Sequence, residues 1–259
     1  MTTRRAVVTG ASSGIGEAVV RALRASGWDV AGVARRAERL AALDAEVGSR
    51  SFAADLTSEA DVAALAAHVA STGDVHALVH VAGGARGTDR VEDGSPEDWR
   101  WMFEANVLST QLVTAALLPL LRGGIRAGGG HADTLYVTST AAQTAYPGGA
   151  GYNAAKAGEA MLVHALRLEL NGEPIRVTEV APGMVHTPEF TLNRLGGDRA
   201  SAERVYDGVE SPLVASDVAD VIAYALNAPG HVNLDLVTMR PVAQSAQHLL
   251  ARGELRPRD

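Results

Sequence analysis

Short runs of β-branched and apolar residues alternate along the chain with segments whose apolar positions recur every three or four residues. Ala6-Val7-Val8-Thr9 is the first run, and glycines follow it at once. Ile15, Val19, Val20 and Leu23 then mark a helix over about 15–26, which Gly27 ends. A second strand is expected at 30–34, and Leu40, Leu43 and Val47 mark the next helix. A weak third strand at 51–54 precedes a helix carrying Val62, Leu65 and Val69. Residues 77–82 form a largely apolar run bounded by Gly83-Gly84, the pattern of a parallel strand buried on both faces. A long helix over about 96–121, a strand at 134–139, a helix at about 151–171 and a strand at 175–181 follow. A helix at 216–227, with Ser216 as its cap, and a last strand at 232–238 complete the series. Seven strands with interleaved helices predict an α/β fold: one doubly wound, Rossmann-type parallel sheet with helices on both faces.

No repeat or linker divides the chain, so 1–259 is expected to form one dinucleotide-binding and catalytic domain. The Gly-rich stretch 122–131 suggests a mobile surface loop. The stretch 186–214 is too long for an ordinary connection and is a candidate substrate lid.

Composition narrows the function. A formal net charge of −7 weighs against nucleic acid as a partner, which needs clustered positive charge. With no cysteine there is neither a disulfide scaffold nor a thiolate metal site, and no metal is expected. The apolar stretch after the charged N-terminus is too short for a signal peptide, and no apolar run approaches the ~20 residues of a membrane span. A cytoplasmic protein that does not engage membranes is the expectation. Aromatic residues make up only 4%, so the core must be built from Ala, Val and Leu.

Chemistry enters at the first turn. In Thr9-Gly10-Ala11-Ser12-Ser13-Gly14-Ile15-Gly16 the glycines lie between strand and helix, where a backbone can approach a pyrophosphate and present helix N–H groups to it. The alternative is a tight strand-to-helix turn with no ligand. The spacing G-x-x-x-G-x-G differs from the G-x-G-x-x-G fingerprint. An acid about 20 residues on usually meets the ribose of a dinucleotide that lacks the extra phosphate. Asp29 has that spacing but precedes its strand, and the strand instead ends in Arg35 and Arg36. Two guanidiniums suit a 2′-phosphate and favour NADP(H), unless they are solvated charges opening the next helix. Asp55 either accepts from an adenine amine or caps the turn at Thr57 and Ser58.

Tyr152 and Lys156 lie four apart on one helical face, and Ser139 ends a strand where such sheets present their chemistry. Asn106 lies in the preceding long helix. A tyrosine near its reference pKa of ~10 is a poor base. A neighbouring ammonium and an oxidised nicotinamide are both expected to lower that pKa. Most Tyr-x-x-x-Lys pairs are ordinary helix faces; this one coincides with a dinucleotide turn and a strand-end serine.

T-G-x-x-x-G-x-G, Asn106, Ser139, Tyr-x-x-x-Lys and Pro182-Gly183 together resemble the short-chain dehydrogenase/reductase family over essentially the whole chain. The resemblance implies hydride transfer between NADP(H) and a small-molecule alcohol or carbonyl. It makes Tyr152 the general acid/base, and gives Lys156 the nicotinamide ribose and the lowering of the tyrosine pKa. Ser139 orients substrate, and Asn106 helps hold a water in a proton relay. It places Gly10, Ser12, Ser13, Gly14, Ile15, Gly16, Leu56, Ala82 and Gly83 along the cofactor, with Pro182, Gly183, Val185 and Thr187 at the nicotinamide. It also implies a homodimer or homotetramer, paired through the long helices. One departure is His80-Val81-Ala82-Gly83, where the family carries Asn-Asn-Ala-Gly. The small profile survives, Val81 cannot replace an amide, and His80 is expected to be structural, still able to donate a hydrogen bond to the sheet.

Glu189-Phe190, Asn193-Arg194, Ser211-Pro212-Leu213 and the segment from Arg240 to Gln244 resemble a branch of the family. That branch holds NADP-dependent 3-hydroxy acid and serine dehydrogenases and a clavulanate-type aldehyde reductase. By analogy Arg194 grips a substrate carboxylate; the alternative is a solvated lid arginine. Tyr146 and His186 are further candidates for the substrate pocket. A different class, a catalytically idle NADP(H)-binding regulator, competes. Such proteins usually lose the catalytic tyrosine or lysine, and this chain keeps both.

Overall fold

Side chains of the first strand, β1 (Arg5–Thr9), point alternately to two faces. Ala6 and Val8 join one apolar cluster and Val7 the other. The structure, a computed structural model, describes residues 3–257, and this division runs through the whole sheet. After β1 come α1 (Gly14–Ala25), β2 (Asp29–Ala34), α2 (Ala37–Val47), β3 (Phe52–Ala53), α3 (Glu59–Ser71) and β4 (Ala77–His80). One long helical run follows: α4 (Pro96–Phe103), a wider π-helical turn at Glu104–Leu108, α5 (Ser109–Gly124) and a second such turn at Ile125–Gly129. β5 (Ala132–Val137), α6 (Ala150–Glu169) and β6 (Ile175–Pro182) lead to a lid region holding β7 (Val185–His186), α7 (Phe190–Arg194), α8 (Arg199–Arg204) and β8 (Leu213–Val214). α9 (Ala215–Asn227), β9 (Leu236–Met239) and the small hairpin β10 (Gln244–Ala246) and β11 (Leu249–Leu250) end the series.

The main sheet has seven strands in the order β3-β2-β1-β4-β5-β6-β9, all parallel. The predicted doubly wound sheet is therefore observed. α1, α2 and α9 cover one face through Val19, Leu23, Leu40, Ile222 and Leu226. α3, α5 and α6 cover the other through Leu65, Leu117, Leu121 and Val163. The run Pro96–Gly129 is long and apolar enough to cross a membrane by length and composition, yet its Val113, Leu117 and Leu121 are fully buried against the sheet.

Four local expectations need correction. The stretch 122–131 is helical as far as Gly129 rather than a loop, with Arg126, Ala127, Gly128 and Gly130 exposed and two glycines packed: a Cβ on Gly124 would lie 2.2 Å from the Val75 carbonyl oxygen, and one on Gly129 2.8 Å from the His76 ring. Gly124 and Gly129 permit this close approach. The last strand begins at Leu236, not 232, because the Asn233 side chain takes the place of a strand neighbour. Its Oδ1 accepts from Val177 N at 2.8 Å, and its Nδ2 donates to the Val177 carbonyl at 3.2 Å. Helix α9 is capped by Asp217, whose carboxylate accepts from Val214 N at 2.8 Å, while Ser216 sits inside the first turn. Strand β4 stops at His80, because the next two N–H groups bond to a side chain described below.

The lid is tied at its base, where β7 and β8 pair in parallel. The end of the chain crosses it: Gly253 N donates to the Gly208 carbonyl at 2.7 Å, and the Arg252 guanidinium to that of Asp207.

Candidate active site

A groove of about 1250 Å³ runs along the carboxyl ends of the parallel strands, where the chain leaves the sheet in loops. Its floor at one end is the turn between β1 and α1. The turn needs glycine most at Gly16, where a Cβ would stand 2.3 Å from the Gly10 carbonyl oxygen. Ser13, the residue before α1, makes no side-chain cap, so the first N–H groups of the helix remain for an anion. Gly10, Ser12, Gly14 and Ile15 line the groove beside them.

Thr9 locks this turn to the neighbouring strand. Its Oγ1 accepts from Val81 N and Ala82 N, both at 3.0 Å, and lies 3.2 Å from His80 Nδ1. With two N–H groups on the oxygen, the hydroxyl proton goes to Nδ1. His80 thus accepts rather than donates, as a fully buried neutral ring. Burial, aided by the Lys156 ammonium, pushes its pKa from 6.5 down to about 3. The structural role expected of His80 fits this geometry, and the amide missing at Val81 is covered by backbone contacts to Thr9.

At the ribose end, Arg35 and Arg36 line the groove. Arg36 donates to Ser12 Oγ at 2.9 Å and to Ser13 Oγ at 2.9 Å. It also pairs with Glu189 of the lid at 2.8 Å, and Arg39 joins the same carboxylate at 2.7 Å. These partners hold Glu189 below its usual pKa, the Arg36 hydrogen bond foremost. Asp55 accepts from Thr57 N at 3.0 Å and Thr57 Oγ1 at 2.8 Å through one carboxylate oxygen, so it caps this turn, and it faces the groove together with Leu56. Asp29, the first residue of β2, lies at the far end of that strand and pairs with Arg5 and Arg50.

At the centre, Tyr152 and Lys156 share a face of α6 and are both buried. Ser139 caps a short turn after β5; its Oγ accepts from Ala141 N at 3.1 Å and donates to the Pro182 carbonyl at 3.5 Å. The expected lowering of the Tyr152 pKa is not what the protein alone produces. Burial raises it, and the opposing pull of Lys156 and Ser139 does not fully compensate. The protein by itself therefore keeps a protonated phenol. Lys156 lies beneath the groove rather than on its wall: Nζ is 3.4 Å from where a Cβ on Gly83 would be. Asn106 sits in the π-helical turn, fully buried, its Nδ2 donating to Gly84 O at 2.9 Å and Met102 O at 2.6 Å while Oδ1 accepts from Gly84 N at 3.1 Å. A Cβ on Gly83 would come within 2.5 Å of that Oδ1, which forces glycine there. The Asn106 side chain thus holds the Gly83-Gly84 backbone against the helix.

Ala82, Pro182, Gly183, Val185 and Thr187 line the far end. Thr187 Oγ1 is buried with no partner, an orphaned group at the position expected for the nicotinamide. Arg194 reaches in from α7. It donates from Nε to the Gly87 carbonyl at 3.1 Å, from Nη1 to Tyr146 Oη at 2.8 Å and from Nη2 to the Gly148 carbonyl at 3.0 Å, and lies 5.6 Å from the Tyr152 ring centre. One N–H on each terminal nitrogen remains beyond these bonds. A solvated lid arginine does not describe this residue. Tyr146 lines the same space, but His186 does not: its ring is exposed and packs on Tyr206 at 4.3 Å, so it is removed from the pocket candidates.

Several groups escaped the sequence reading. Phe190 packs on Tyr152 at 5.6 Å, Gln244 accepts from Met184 N at 2.8 Å, and Glu159 pairs with Lys156 at 2.6 Å. One signal was available: Lys156 is the single lysine among 259 residues, every other long basic side chain being arginine.

The family model for short chain dehydrogenases matches residues 4–194, and the chain belongs to that family of oxidoreductases. An uncharacterised oxidoreductase of Mycobacterium tuberculosis is 51% identical over 94% of this chain and 93% of its own length. A serine 3-dehydrogenase of Rhizobium radiobacter is 38% identical over 92% and 94%. The closed form of a serine dehydrogenase complexed with NADP+ superposes with a TM-score of 0.88 at 32% identity, covering 96% of this chain and all of that one.

The buried His80 supports a prediction about acid stability. Its folded pKa of about 3 lies below the unfolded 6.5, so between these limits only the unfolded chain takes up this proton. The stability that this term supplies above 6.5 is lost progressively as pH falls toward 3. Urea midpoints measured across that window are expected to fall less steeply in His80→Asn than in the wild type; parallel slopes would remove His80 from the account.

Proposed function

We propose that the chain interconverts an alcohol and a carbonyl on a small molecule, with NADP(H) as cofactor and Tyr152 as general acid/base. The observation that carries this reading is the buried Tyr152 phenol, with Ser139 on the same groove and the only lysine of the chain one helical turn away, in a groove that begins at the glycine turn before α1.

The residues present fit the dinucleotide. The N–H groups at the start of α1 and the Ser12 and Ser13 hydroxyls would hold its phosphates. Arg35 and Arg36 would take the 2′-phosphate, and Thr187 Oγ1 would find its partner in the carboxamide. NADP(H), when bound, supplies or accepts the hydride. The protein handles the proton. In reduction, Ser139 holds the carbonyl oxygen and Tyr152 donates its phenolic proton to that oxygen; in oxidation the phenolate takes the proton back. Lys156, as an ammonium beneath the ring, stabilises the phenolate. Asn106 serves the site by fixing the loop on which Gly83 stands.

Arg194 favours a substrate with a carboxylate or a comparable anion. Its two remaining N–H donors make a forked, charge-assisted site beside Tyr152, and one relative is named for serine, a hydroxy acid. Exposed Phe103, Leu108, Met161 and Leu168, all on the α4–α5 and α6 surfaces, support pairing of the long helices in a dimer or tetramer.

Stopped assays with NADPH and a panel of carbonyl compounds test the reading. Turnover is expected, and Tyr152→Phe should lower kcat by about 10²–10⁴-fold while NADPH binding stays nearly unchanged. Full activity in that variant would remove Tyr152 from the reaction; tight NADPH binding without turnover on any carbonyl would leave a cofactor-binding regulator. Replacing Arg35 and Arg36 together by alanine is expected to weaken NADPH about tenfold or more, as loss of hydrogen bonds to a charged group does, and NADH far less. Equal losses would refute the phosphate assignment. Arg194→Met is expected to raise KM for carboxylated carbonyls and to spare uncharged ones, whereas the same change for both would refute the anion site.

A further inference from the structure

The ammonium of Lys156 has a carboxylate neighbour that the reaction as drawn does not use. Glu159 is fully buried, three residues further along α6. Its Oε2 lies 2.6 Å from Lys156 Nζ, and its Oε1 lies 3.2 Å from Thr110 Oγ1, whose single proton also faces the Asn106 carbonyl at 2.6 Å. Nζ also donates to the Val137 carbonyl at 3.1 Å. An ammonium has three donors; two are taken here, and the third is left for the side on which Gly83 stands. Tyr152, Lys156 and Glu159 therefore form a line of phenol, ammonium and carboxylate along one face of the helix.

We propose that Glu159 is a positioning residue for the reaction, the buried counter-charge that holds Lys156 as an ammonium beneath Tyr152. The inference rests on the assignment of Tyr152 and Lys156 to proton transfer. An unpaired ammonium this deeply buried would release its proton, as buried lysines do. Burial pulls Lys156 down and Glu159, foremost among its neighbours, pulls it up, with the balance above the usual lysine value; burial raises Glu159 as well, against the pull of Lys156. The groups that bear on it come from each packed element. Tyr152 and Glu159 lie on α6. Glu179 lies on β6 and is itself held by Thr138 Oγ1 at 2.6 Å and His164 Nε2 at 2.8 Å. His80 on β4 is kept neutral in part by Lys156, Tyr136 on β5 is raised to about 12, and uncharged Asn106 lies on the π-helical turn. Glu159 is the one carboxylate bonded directly to Nζ among the described residues. A permanently charged arginine would need no such partner to stay charged, and at this position alone the chain keeps lysine.

The single lysine makes the test direct. Protein prepared with isotope-labelled lysine shows one Cε resonance, which reports the ionisation of Lys156 without substrate or turnover. In the wild type it should stay at the ammonium position to the alkaline limit of the folded protein. In Glu159→Gln it should move to the amine position at a clearly lower pH. kcat/KM for alcohol oxidation should then gain a descending alkaline limb, falling about tenfold per pH unit beyond it, where the wild type stays level. Should Glu159→Gln not fold, Glu159→Asp, which keeps the charge but draws it back by one carbon, should show the same displacement in smaller measure. A Cε titration unchanged in the folded variant overturns the proposal. If the resonance shifts but Tyr152→Phe retains turnover, the reading of the reaction falls and the counter-charge stands.

Discussion

A parallel strand inside a sheet has unpaired backbone only at its ends, and here helices cover both faces of the five inner strands. That constraint places everything else. Polar chemistry is excluded from the two apolar layers and gathers where the strands stop. Thr9, His80, Ser139 and Pro182 each lie at such an end, on adjacent strands of the order β1-β4-β5-β6. Thr9 turns this adjacency into geometry: one hydroxyl takes two N–H groups from the chain leaving β4 and so sets the distance between the glycine turn and the loop at Gly83.

Glycine and buried charge then do complementary work. Gly16 and Gly83 stand where any side chain would collide with the Gly10 carbonyl or the Asn106 amide, so backbone can approach a flat cofactor. Below them, Lys156 and Glu159 occupy a space with almost no solvent, where a charge persists only with its partner. The tyrosine above them is dominated by burial, so the protein alone favours its acid form. Lys156 and Ser139 pull the other way without outweighing burial.

The segment after β7 touches both ends of the groove. Glu189 reaches Arg36 and Arg39, Phe190 packs on the Tyr152 ring, and Arg194 is tied to the carbonyls of Gly87 and Gly148. α7 carries the last two within five residues, and Glu189 immediately precedes them. A change at Arg36 therefore has a short mechanical route to the groove around Tyr152.

Local pattern alone determined the seven strands, their helices and the sites of Tyr152, Lys156 and Ser139, because hydrophobic period and helical spacing are properties of neighbouring residues. Arg35 and Arg36 were legible for the same reason, lying directly after a strand. What only the tertiary structure decided involves distant partners. His80 became an acceptor through Thr9, 71 residues away. His186, although next to a pocket segment, turned to Tyr206. Two glycines of 122–131 proved to be packing contacts, because the Val75 backbone lies against Gly124 and the His76 ring against Gly129. The Tyr152 pKa rose where sequence logic lowered it, since proximity of Lys156 can be read from spacing and depth of burial cannot. Glu159 was visible three residues past Lys156, but only the packed interior, by removing water, makes that carboxylate necessary.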